Sequence, residues 1–217
     1  MATRLLPNAN PVAYNELVNA SINSEGLVNG IWVSCVPFLN FSSHLTLFAI
    51  PRILNFHFPT NAIAWSISPE VRTPPGGRLD LFITRNTYNP FRAHPTVIFE
   101  GKSANGDFWD QIRTQLRQYA ITYATANGQF IYMIGAKGRG CRFFRYKRGD
   151  AIDTTYMAYN PNTRRVSYQD SGLATTSDIS TDQPAILAFI QEILRNPTPL
   201  SHIAVEYDTE PDSQTDV

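Results

Sequence analysis

The sequence predicts an α/β protein of the α+β type, a central mixed β-sheet flanked by helices, and three observations carry that expectation. Short runs rich in β-branched and aromatic residues, such as RLDLFITR and TVIFEGK, are separated by turns bearing Pro and Gly. Two longer stretches, around residues 107–126 and 180–196, instead repeat apolar residues at helical spacing. Their order, helix then three strands, helix, more strands, is that of layered helices on a sheet. With 217 residues, 43% of them hydrophobic, the chain is long enough for one domain with a sizeable core. No internal repeat or linker divides residues 1–204, which read as a single domain. The stretch 205–217 carries almost no apolar residue after Tyr207 and reads as an acidic, frayed tail.

Taken in order, NANPVAYNELVNASINSEGLVNG reads as a first helix. Asn10 can cap it, Pro11 suits the first helical position, and Tyr14, Leu17 and Val18 recur at helical spacing. Gly26 or Gly30 would end it. The block 31–58 is broken by Pro37 and Pro51 and takes no clean assignment; SSHLTLFAI fits a short helix or a strand equally. Ile63, Trp65 and Ile67 alternate with small residues, the period of a half-buried strand. RLDLFITR and TVIFEGK are the next two strands, joined through TYNPFRAHP.

From Asp107 the pattern turns helical, with Trp109, Ile112, Leu116, Tyr119 and Tyr123 on one stripe and Arg113 and Arg117 across from it. Gly128 is expected to close this helix. QFIYMIGAKG and GCRFFRYKRGD follow as strands, and TTYMAYNPNTRRVSYQ as a hairpin turning at Asn160-Pro161-Asn162. In STDQPAILAFIQEILRNP, Ser180, Thr181 or Asp182 caps a last helix, Pro184 sits in its first turn and Asn196-Pro197 stops it.

Composition excludes several classes. Net charge is zero, so no global field attracts a polyanion, although the 15 arginines against 3 lysines favour forked phosphate or carboxylate contacts. Cys35 and Cys141 match no zinc spacing and make no disulfide scaffold, which points to a reducing compartment. No run approaches the ~18 apolar residues of a membrane span, and the start MATRLLPNANP lacks a secretory apolar stretch. The expectation is an intracellular protein, cytoplasmic or nuclear, without membrane contact. His44, His57, His94 and His202 share no ligand spacing, and no G-x-S-x-G occurs for a serine hydrolase.

The chemistry concentrates in two strands. Asp80 stands between Leu79 and Leu81, and twenty residues later VIFEGK sets Glu100 and Lys102 two apart, on one face of the next strand. If the strands pair as a hairpin, Asp80, Glu100 and Lys102 converge at one sheet end. Charges packed among apolar neighbours are costly unless compensated. A cation held by the two carboxylates would compensate them, and hard oxygen ligands suit Mg²⁺ or Mn²⁺. The plainer readings are a surface ion pair worth at most about 1 kcal/mol for Glu100 and Lys102, and a strand-end acceptor for Asp80.

The succession GGRLDLFI, TVIFEGK and a helix carrying QLRQY resembles the PD-(D/E)XK nuclease superfamily, its RecB-like branch in particular. The resemblance covers residues 76–120 and implies a restriction-endonuclease-like αβββαβ core. It implies that Asp80, Glu100, Lys102 and Gln115 are catalytic, with Asp80, Glu100 and a first-helix acid, Glu16 with Glu25 behind it, on the metal. It also places Tyr119 near substrate, although Tyr119 lies on the apolar stripe and reads equally as a core tyrosine. No Pro precedes Asp80, and no motif fixes the helix-one acid. The window AKGRGCRFFRYKRGD holds Lys137, Arg139, Arg142, Arg145, Lys147 and Arg148, interleaved with Phe143, Phe144 and Tyr146, and the first five are candidate substrate contacts. It fits a phosphate-tracking strand pair, or a solvent-facing hairpin with its aromatics in the core. The expected function is metal-dependent cleavage of nucleic acid, DNA over RNA by resemblance alone. The alternative is an inactive module of the same fold, toxin-, effector- or immunity-like, with a homodimer or protein partner left open.

Overall fold

A computed structural model describes residues 28–29, 53–58, 64–73, 77–88, 91–124 and 128–197. The expected first helix, except the helical pair Val28 and Asn29, lies outside the described residues, as do Glu16, Glu25, Cys35, SSHLTLFAI and the acidic tail. The described chain runs α1 (Ile53–His57), β1 (Trp65–Thr73), β2 (Gly77–Thr87), β3 (Arg92–Lys102), α2 (Trp109–Tyr123), β4 (Phe130–Lys137) and β5 (Gly140–Lys147). It continues through β6 (Thr154–Asn160), β7 (Arg165–Asp170), a 3-10 turn (Ser171–Leu173), β8 (Ser177–Asp178) and α3 (Gln183–Arg195).

All eight strands form one sheet in the order β1-β2-β3-β4-β5-β6-β7, with β8 added to β5. Only β3 and β4 pair in parallel; every other neighbour is antiparallel. A parallel pair needs a crossover, and α2 supplies it. β3 is buried along nine consecutive residues. That explains its unbroken apolar run, since a central strand covered on both faces has no solvent side to mark by alternation. The edge strand β7 is exposed or half-exposed throughout.

Layers on both sides of the sheet bury it. One face packs Phe82, Ile98, Ile131, Met133, Phe144 and Tyr146 against Ile112, Leu116, Tyr119 and Ala120 of α2. The other packs Ile83, Val97, Phe99, Ile134 and Phe143 against Val28, α1 and the α3 residues Ile186, Phe189, Ile190 and Ile193. The α2 stripe is therefore the one its periodicity foretold, with Trp109 and Tyr123 at its margins. Gly135 of β4 lets α2 approach: a methyl there would meet Ile112 Cγ2 at 2.9 Å.

Local signals act where expected, with two shifts. The turn 161–164 is tied by Asn160 Oδ1, which accepts the N–H groups of Asn162 and Thr163 at 2.9 and 3.2 Å. Asp182 precedes α3, but its carboxylate accepts the Asp178 N–H at 2.8 Å rather than capping the helix. Gly128 does not close α2, which ends at Tyr123; the glycine, at φ 81°, makes the turn into β4 instead. Among the described residues no helix is long and apolar enough to cross a membrane.

Candidate functional site

β2 and β3 pair antiparallel as far as Leu81 and Phe99. One step beyond that last pair stand Asp80 and Glu100, where the ladder opens. The side chain of Asp80 closes the gap: its Oδ2 accepts the Gly101 N–H at 2.8 Å. On β3 the period of two brings Lys102 back over Glu100, with Nζ 2.7 Å from Oε1. Glu100 is 1% exposed and Lys102 14%. An ion taken this far from water is tolerated only with charge-assisted partners, and the ammonium is one of them. On its other side Glu100 is in register with Gly135 of β4, and Lys102 with Lys137. The structure thus brings Asp80, Glu100 and Lys102 to one end of neighbouring strands.

The two α2 candidates reach the same region. Gln115 Nε2 donates to Tyr119 Oη at 3.2 Å, and that hydroxyl donates to the Arg78 carbonyl at 2.9 Å. Arg78 is two residues before Asp80, so the Gln115–Tyr119 pair ties α2 to the strand that carries the acid. Tyr119 is buried, with its ring in the core and its hydroxyl satisfied by those two bonds. Its place in the core is the one its position on the apolar stripe foretold.

The basic window behaves differently, because a strand sends successive side chains to opposite faces. Phe143, Phe144 and Tyr146 are all core residues, with no face to offer a base. Arg145 lies toward α3, its guanidinium 3.7 Å from the centre of the Tyr168 ring. Arg139 bonds Asp178 at 3.0 Å, and Lys147 bonds Asp150 at 3.0 Å. Burial would raise the Asp178 carboxyl, but bonds from Arg139 and Ser180 hold it below the usual carboxylate value. Lys137 and Arg142 stay on the α2 side. Lys137 Nζ donates to the Gly106 carbonyl at 3.1 Å, and Arg142 stacks 4.4 Å from the centre of the Trp109 ring. Basic residues drawn from one sequence window therefore do not make one stripe.

Three contributors were not legible beforehand. Gly101 supplies the N–H that holds Asp80, and an N–H leaves no trace in residue type. Asn29 sits against the same glycine, its Oδ1 at 1.9 Å from where a Gly101 Cβ would lie, so the acidic-x-Lys triplet has room only for glycine with the carboxamide in place. Phe108 stands 75% exposed just before α2. An aromatic residue off the apolar stripe was the available signal.

Among the described residues no group of three or more His, Cys, Asp or Glu side chains is arranged to hold a metal. Asp80 and Glu100 offer two hard carboxylates on adjacent strands. That set fits a cation such as Mg²⁺, which is bound through one or two carboxylates and keeps several waters. No protein-family model matches the chain, and neither a curated protein nor a solved structure matches it. The described residues define the class, a mixed α+β protein whose eight strands form a mostly antiparallel sheet.

Proposed function

We propose that this protein is a metal-dependent nuclease that hydrolyses phosphodiester bonds of DNA, with a restriction-endonuclease-like core. The carrying observation is the meeting of Asp80, Glu100 and Lys102 where β2 and β3 part. The order of three antiparallel strands, α2 and a parallel fourth strand supports the core reading. Asp80 and Glu100 would hold Mg²⁺ or Mn²⁺, which supplies Lewis acidity and a hydroxide near neutral pH. The chain's own groups do the remainder. Gly101 N–H aims the Asp80 carboxylate, and Lys102 orients the attacking water or offsets charge gathering on the phosphoryl oxygens. Gln115 and Tyr119 hold α2 at the mouth of the site, and Lys137 and Arg142 offer cations on the α2 side.

A second reading keeps the fold without the activity. Its support is the closeness of Glu100 to Lys102, which is also how a purely structural buried pair looks. Magnesium titration with plasmid and single-stranded substrates separates the two. The native chain should cut and Lys102→Ala should not. Equal residual cleavage by both, with no heat on adding Mn²⁺ in calorimetry, leaves the inactive module standing.

A further inference from the structure

We propose that the start of α2 is a stacking platform for an unpaired nucleotide, so that the substrate of the site is single-stranded DNA. This rests on the nuclease reading and narrows it. Phe108 is 75% exposed, above Leu173 at 69% and Ile152 at 57%, so its ring contributes little to the core. A cation lies over its face. Lys137 Nζ lies 5.5 Å from the centre of the Phe108 ring, held there by the Gly106 carbonyl. Next in sequence, Trp109 carries the Arg142 guanidinium at 4.4 Å, which Thr176 Oγ1 holds at 2.9 Å. Arg113, one turn along, engages Asp110 at 3.3 Å and donates to Ser171, which takes up an acid beside the platform.

Aromatic faces flanked by cations bind single strands because every unpaired base has a π-face and every linkage a charge. In a duplex those faces are already stacked on each other. An apolar protein partner is disfavoured here, since covering Phe108 would also desolvate the Lys137 ammonium over its ring. Position supplies the second argument. Lys137 is in register with Lys102 across the β3–β4 pair, and the Gly138 N–H donates to the Lys102 carbonyl at 3.0 Å. Adjacent strands are about 4.8 Å apart. The lysine that lies over Phe108 therefore springs from the strand next to the lysine of the site.

The test measures fluorescence anisotropy of a labelled single-stranded 20-mer and its duplex, with the native chain in EDTA so that nothing is cut. The native chain should bind the single strand more tightly than the duplex. Phe108→Ala should weaken single-strand binding about tenfold and leave the duplex unaltered, and Phe108→Tyr should restore it. Unchanged urea midpoints show that the variants fold. An unaltered single-strand affinity in Phe108→Ala, or an equal loss on both ligands, overturns the platform and leaves the nuclease reading intact. Failure of the native chain to bind either ligand overturns both. Binding as expected without cleavage in Mg²⁺ sinks the nuclease reading and keeps the platform.

Discussion

Replacing Lys102 by Met retains the aliphatic stem and removes only the ammonium 2.7 Å from Glu100. How much stability should that cost? Removing one partner of a buried ion pair costs about 3–5 kcal/mol, whereas exposed pairs are worth about 0–1 kcal/mol. Glu100 is 1% exposed and Lys102 14%, so the pair belongs with the buried ones, toward the lower end because the lysine touches solvent. The expected loss is about 3 kcal/mol, a fall in Tm of about 6–12 °C for a chain of this length. Glu100→Gln with Lys102→Met removes both charges and should recover much of the loss, giving a coupling of about 2 kcal/mol in a double-mutant cycle. Urea denaturation of the four proteins at neutral pH measures it. A single-variant cost under about 1 kcal/mol, with coupling near zero, would show a solvated pair and refute the argument that burial makes this lysine necessary.

Other outcomes follow from the same coordinates. Gly135→Ala puts a methyl 2.9 Å from Ile112 Cγ2 and 3.5 Å from Leu116 Cδ1; chemical denaturation should show a loss of about 1–3 kcal/mol. Tyr119→Phe removes the bond to the Arg78 carbonyl and should cost about 1 kcal/mol, with reduced turnover in the nuclease assay because α2 loses its tie to β2. Burial pushes the Cys141 thiol well above its usual value, so in a Cys35→Ser background a thiol reagent should label it only on unfolding. The Arg117 hydrogen bond holds the Asp153 carboxyl below its usual value. A depressed carboxyl stabilises the fold above its unfolded value, about 3.9, and that contribution fades as pH falls through the folded one. Asp153→Asn should therefore lose stability at neutral pH and show a flatter acid limb below about pH 4.

Much of this architecture was legible from pattern, and the reasons are local. The α2 stripe of Ile112, Leu116 and Tyr119 and the Asn160 turn depend on side chains a few residues apart, so spacing alone betrays them. The proximity of Glu100 and Lys102 belongs here too, because a strand's period of two places them together whatever surrounds it. The extent of β3 was less legible: it begins at Arg92, well before TVIFEGK, because pairing with β2 continues past a register shift at Ile83/Thr84. The end of α2 differs from its sequence signal for a similar reason, since the Gly128 N–H donates to the Arg148 carbonyl and not to the helix.

The sequence by itself determined the alternation of strands and helices, the burial stripes and the two-residue step from Glu100 to Lys102, all consequences of backbone geometry within one element. Only the tertiary structure decided that Asp80 meets the Gly101 N–H, that Tyr119 reaches Arg78, and that Arg145 departs toward Tyr168 while Lys137 stays beside Lys102. Those outcomes depend on which strands become neighbours and which face each residue takes. Pairing register sets both, and no single segment encodes its partner's register.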